Sequence, residues 1–157
     1  LVAQTVTTAL VVGPIGPSAE LREWYRALGA SAMALDVLSL AVGTYVGQYV
    51  GRYVSGQYVS GQYDESVLAG IVGAIGVQVT HDVLFGRVVR AWPRDTASVP
   101  MRIFKVYAEA KRGRVLVDDA LMMAGCVVAT HALRHVRHAE AVGAAAAYLN
   151  LLMIHSM

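Results

Sequence analysis

Polar side chains that interrupt long apolar runs are where this chain could do chemistry. Asp36 lies in the first such run, Gln78, Thr80, His81 and Asp82 in the second, Asp118 and Asp119 at the start of a third, His131 near its end, and Asn150 and His155 in a fourth. An ionisable group at membrane depth is costly to keep there, so each is a functional candidate. An imidazole beside carboxylates can pass protons near neutral pH, and Asp36, His81 and Asp82 could form such a relay. The plainer expectation is that Asp36, Gln78, His81, Asp82 and Asp119 hydrogen-bond between helices and fix their packing register, since that needs the same residue types.

His131, His135 and His138 recur at i, i+4 and i+7, one face of a helix and a spacing that suits a metal ion. Arg134 and Arg137 stand between them, and nearby cations disfavour a bound dication. The expectation is therefore a cationic helix end at an interface, with no metal and no cofactor. The chain holds one cysteine, Cys126, which reads as a small buried apolar residue. Paired CxxC, HExxH, a nucleophile elbow, a phosphate-binding glycine loop and a dinucleotide fingerprint are all missing, so no enzymatic activity is expected.

The elements that would position these residues follow from composition. Of 157 residues 56% are hydrophobic and 15% charged, and mean hydropathy is +0.50. So much apolar surface could not be hidden inside a particle of this size, and lipid is its natural place. A helix needs about 20 mainly apolar residues to cross the hydrocarbon core. Residues 27–50, 67–89, 115–133 and 139–157 come close. The fold class expected is all-α: one domain over 1–157, with three to four transmembrane helices and an amphipathic interfacial helix. Residues 1–26 are expected as an extended N-terminal segment followed by an interfacial helix, started by Pro17 and Ser18 and placing Trp24 and Tyr25 in an aromatic belt. Leu1 to Val12 is uncharged and too short to span by itself, and reads as the end of a longer segment.

Tyr45, Tyr49, Tyr53, Tyr58 and Tyr63 head a repeat whose period slips from four residues to five. In its regular part Gly43, Gly47 and Gly51 share one helix face, the small-xxx-small pattern by which two backbones approach closely in lipid. They are the expected packing interface, with a second copy or with other membrane proteins. Val54 to Glu65 reads as a turn region, with a β-hairpin as the alternative. Eight of the 13 Lys and Arg fall between Arg87 and Arg114. Within 90–114, Ser98 and Pro100 can start a helix, Gly113 can stop it, and Met101, Phe104, Tyr107 and Ala108 recur at helical spacing. Arg102, Lys105, Lys111, Arg112 and Arg114 would then form a basic interfacial face for anionic headgroups or a protein partner, with Trp92 as an anchor. The positive-inside rule puts this connection, and Arg22 and Arg26, on the cytoplasmic side. Arg134 and Arg137 fall on the wrong side of a strict four-span arrangement, and a re-entrant third segment is the simplest repair. A net charge of +2 gives no reason to expect a nucleic-acid partner.

His81-Asp82-Val-Leu84-Phe85, then Ile103-Phe104-Lys105-Val-Tyr107-Ala108-Glu109, then Gly113, Leu116, Asp119, Met122 and Met123 resemble the elements of a family of small, uncharacterised membrane proteins encoded by nucleocytoplasmic large DNA viruses, the giant viruses. The likeness covers about Gln78 to Ala132, and Ala120 stands where the family pattern has serine. It implies a structural virion protein in the internal membrane, derived from host endoplasmic reticulum, beneath an icosahedral capsid. The partners it implies are the bilayer and other membrane or capsid proteins. Conduction of protons or ions through intramembrane Asp and His is the alternative activity.

Overall fold

Long runs of Val, Leu, Ala and Gly can satisfy their backbone groups in lipid only as helices or closed barrels, and here they form helices. The computed structural model describes residues 2–12, 19–56, 67–93, 95–111 and 113–155. Among these residues the chain is all-helical: α1 (Val2–Val12), α2 (Ala19–Leu28), α3 (Ala30–Val54), α4 (Val67–Ala91), α5 (Val99–Lys111), α6 (Arg114–Leu133) and α7 (Ala139–His155). Three helices, α3, α4 and α6, are long and apolar enough to cross a membrane, whereas the apolar part of α7 is shorter. The third expected segment is thus one continuous 20-residue helix and not a re-entrant loop. The N-terminal segment expected to be extended is instead the helix α1, whose Gln4, Thr5 and Thr7 are buried against the bundle.

Glycine decides how α3 meets α4. A Cβ on Gly47 would lie 2.2 Å from the Ala74 Cα, and one on Gly51 would lie 2.0 Å from the Ala69 carbonyl oxygen. A Cβ on Gly73, from the other side, would come 2.0 Å from the Gly47 carbonyl oxygen. Only hydrogen in place of a side chain permits this approach, which maximises dispersion contact where no water is present to drive association. Gly43, the third of the stripe, faces Met123 and Gln78. The stripe that the sequence offered to a second copy is therefore occupied within the chain, because α4 supplies the complementary small residues Gly70, Gly73 and Ala74.

α4 and α6 also run antiparallel, and Leu40, Ala74, Met123, Cys126 and Val127 form the core between α3, α4 and α6. α1 packs on α6 and α7. Asn150 of α7, fully buried, donates from Nδ2 to the Thr5 carbonyl at 3.2 Å and ties the last helix to the first. Leu35, Leu38, Val42, Leu68, Val72, Leu84, Leu121, Val128, Leu149 and Leu152 are exposed on the outer faces. An apolar exterior over three helices of this length is consistent with an integral membrane protein. The other outer feature is the tyrosine stripe: Tyr45, Tyr49 and Tyr53 are exposed along α3, while Tyr58 and Tyr63 lie outside the described residues.

Two short amphipathic helices close one end of the spans. Gly29, at φ 54° and ψ −132°, takes a positive-φ conformation that L side chains rarely adopt, and its amide donates to the Tyr25 carbonyl at 2.7 Å before α3 begins. Ser98 starts α5 as expected, its carbonyl accepting from the Arg102 amide at 3.0 Å. α2 then packs against α5, with Trp24, Tyr25, Ala32 and Ile103 forming a second small core. Pro17 and Ser18 lie outside the described residues.

Candidate functional site

The end of the bundle that carries α2 and α5 gathers carboxyl groups from all three long helices. Asp36 stands two turns into α3, Asp82 is in the C-terminal half of α4, and Asp119 is in the second turn of α6. Antiparallel packing brings α3, α4 and α6 to a common level here.

Each carboxyl has its own partners. The Tyr25 hydroxyl donates to Asp36 Oδ2 at 2.7 Å, and the Trp24 side chain also hydrogen-bonds Asp36. Gln78 Nε2 donates to Asp82 Oδ1 at 2.8 Å, and His81 Nδ1 lies 3.1 Å from the same oxygen. The other oxygen, Asp82 Oδ2, is buried and has no hydrogen-bond partner among the described residues. Asp119 interacts with Asp82, and Asp36 and Asp118 act on it electrostatically. Burial pushes the Tyr25 phenol up, and the facing Asp36 charge and hydrogen bond push it further. The phenol therefore remains a donor.

An aromatic chain runs beside the carboxyls. The exposed His81 ring stacks on Phe85 at 5.6 Å between centroids. Phe85 meets Phe104 of α5 edge to face at 5.3 Å, and Phe104 packs on Trp24 of α2 at 4.9 Å. Offset and edge-to-face pairs of this kind add stability beyond the area they bury. Trp24 and Tyr25, expected in an interfacial aromatic belt, are instead core residues at 6% and 2% exposure. An aromatic with a polar tip that can reach a carboxyl on the adjacent span gains more from that bond than from a headgroup.

The polar residues singled out in the sequence thus converge: Asp36, Gln78, His81, Asp82 and Asp119 share one end, joined by Trp24, Tyr25, Phe85 and Phe104. The pairing of Tyr25 with Asp36 was not anticipated; its signal was a hydroxyl-bearing aromatic just before the Gly29 break and an acid two turns beyond it.

The basic residues divide. Arg102 and Arg114 are exposed, Lys105 donates to the Trp92 carbonyl, and Lys111 lies 3.9 Å from Asp118. Arg112 lies outside the described residues. His131, His135 and His138 do not share a helix face, because α6 ends at Leu133. His131 and His135 contact at 6.3 Å between ring centroids, while His138 takes φ 64° and lies 3.9 Å from Glu140. Among the described residues no group of three or more His, Cys, Asp or Glu could hold a metal ion.

Chemically, the cluster can do two things: lock two interfacial helices onto the spans, and hold a proton among closely placed carboxyls. Comparison with known protein families, with curated proteins and with solved structures gives no match for this chain.

Proposed function

We propose that the chain is a structural integral membrane protein, in which three spans hold a fixed interfacial platform, α2 and α5, at one face of a bilayer. The observation that carries this reading is the lock itself. Tyr25 and Trp24 bond Asp36 of the adjacent span, while Trp24, Phe104 and Phe85 stack α2, α5 and α4 into one unit. A helix that merely floats in the interface needs no such tether. Here Arg22, Arg26, Arg102 and Arg114 are held on the outer surface of a rigid end, where they meet headgroups or an acidic protein surface. The resemblance to the giant-virus membrane proteins supports a setting for this platform: an internal virion membrane, tied by it to the capsid or to other membrane proteins.

The test is alkaline carbonate extraction of the expressed protein, followed by labelling of cysteines introduced at Ser55 and at Val106. Retention with the two positions on opposite sides is expected. Release from the membrane, or labelling of both from one side, would overturn the reading.

A second reading, conduction of protons, is favoured by one observation: the buried Asp82 Oδ2 has no partner in a chain of groups that begins at the exposed His81. It predicts proton flux in liposomes that Asp82→Asn and Asp119→Asn abolish while helicity is unchanged; wild-type liposomes as tight as empty ones would rule it out.

A further inference from the structure

Packing sorts the basic residues of the platform end into two kinds. Lys105 donates to the Trp92 carbonyl and Lys111 faces Asp118, so both are used within the chain. Arg87 and Arg90 near the end of α4, Arg102 of α5 and Arg114 of α6 are exposed, and among the described residues none of the four has a carboxylate partner. Glu109, the only acid of α5, is itself engaged. Arg90 complements the carbonyl end of its helix and needs no further account. Arg102 and Arg114 do. Each lies in the first turn of its helix, at the positive end of the macrodipole, and neither first turn holds an acid to offset it. A cation kept where its own helix repels it, without a carboxylate in the chain, calls for an anion outside it.

Exposed apolar side chains beside these arginines say which anion. Val99 and Val106 flank Arg102 on one face of α5, at i−3 and i+4, and Trp92 stands exposed just beyond α4. An apolar face with an arginine in its middle matches the boundary between acyl chains and phosphates, and tryptophan concentrates at that level. α4 ends and α6 begins here, so Arg87, Arg90 and Arg114 lie at the ends of two candidate spans, in the zone that headgroups fill. An acidic protein could meet these groups only by displacing the lipid beside them.

We infer that the platform docks on anionic phospholipid of its own leaflet. Arg87, Arg90, Arg102 and Arg114 bind the phosphates, while Trp92, Val99 and Val106 enter the acyl boundary. The inference rests on the membrane reading and names the platform's partner. Each arginine near the surface adds to the attraction, so the lipid around the platform is enriched in acidic headgroups over the bulk of the bilayer.

Fluorescence quenching by brominated lipids tests this in liposomes with the same composition in both leaflets, so that the direction of insertion does not matter. The chain has two tryptophans; Trp24 is buried, and Trp92 is the one that lipid bromines can reach. In phosphatidylcholine liposomes with a minor share of phosphatidylglycerol, brominating the phosphatidylglycerol should quench Trp92 at least about threefold more than brominating an equal amount of the phosphatidylcholine. Salt at about 1 M should reduce the difference. Arg87→Gln, Arg90→Gln, Arg102→Gln and Arg114→Gln together should abolish it at unchanged helicity. Arg102→Gln with Arg114→Gln, which relieves repulsion at two helix starts and so should fold at least as well as wild type, should remove part of it. The corresponding four-lysine variant should keep it, since a surface of phosphates asks for charge more than for a fork. Equal quenching by the two lipids overturns the inference, as does an excess that survives in the four-glutamine variant. So does a Trp92 that neither lipid quenches in protein that resists carbonate extraction, the outcome expected if an acidic protein is the platform's partner. Release by carbonate would instead remove the membrane reading, and this inference with it.

Discussion

Tyr25 shows how much one hydroxyl can organise. Its bond to Asp36 crosses the break at Gly29, so two helices with different environments, one interfacial and one spanning, are set at a fixed angle. Removing the donor in Tyr25→Phe leaves the carboxyl with fewer partners in a site that water barely reaches. The expected cost is about 1–3 kcal/mol, read as a lower unfolding temperature in detergent and faster amide exchange confined to α2. Asp36→Asn keeps an acceptor for the phenol and should cost less. The same contact predicts a pH dependence whose sign follows from the raised phenol. A proton held more tightly when docked than when free means that the full docking energy is present below the free-phenol value of about 10. Above that pH the undocked phenol ionises and the stabilisation is lost. Amide exchange in α2 should accelerate above that pH in wild type, whereas Tyr25→Phe, already loosened, should show no such step. An α2 insensitive to alkali would show that the phenol does not hold it.

At the scale of elements, the glycine stripe and its counterpart separate what a helix needs from what a helix pair needs. Gly47→Ala places a methyl against backbone atoms of Ala74 that cannot move without parting α3 from α4. A loss of about 1–3 kcal/mol or more is expected. Gly76, on the same helix as Ala74, has nothing within 4 Å of its would-be Cβ. Gly76→Ala should therefore stabilise by up to about 1 kcal/mol through helix propensity alone. Thermal unfolding of the two variants in the same detergent should show shifts of opposite sign; two shifts of the same sign would mean that the α3–α4 contact is not the tight one described. Much of this was legible in the sequence. The three long helices, the amphipathic α5 and the small-residue face of α3 follow from period and length, which are local properties. The end of the third helix at Leu133 was legible too, and with it the break in a histidine spacing that only a longer helix would align. Three features were not. That α4, and not a second copy, fills the stripe depends on matching small residues brought opposite by antiparallel packing. The burial of Trp24 depends on Phe104. The helicity of α1 comes from its packing on α6 and α7, since eleven residues would be marginal as an isolated helix.

Over the whole molecule, charge and packing act on the same orientation by different routes. The platform end exposes Arg22, Arg26, Arg87, Arg90, Arg102 and Arg114, and the opposite end carries Arg52, Arg134 and Arg137. Basic residues resist translocation, so under the proposed membrane reading the excess predicts α2 and α5 on the cytoplasmic side. The aromatic and carboxyl lock, by contrast, forms only after the spans are together and so cannot select which way they insert. Neutralising Arg87, Arg90, Arg102 and Arg114 with glutamine touches none of the lock's contacts. It should nonetheless give a mixed population, in which a cysteine at Val106 is labelled from both sides of the membrane while α2 keeps its amide protection. A single orientation in that variant would show that Arg22 and Arg26 suffice to set the topology. If protection of α2 were lost together with orientation, the platform would depend on the headgroups it contacts, and the tether through Asp36 would be too weak to hold it alone.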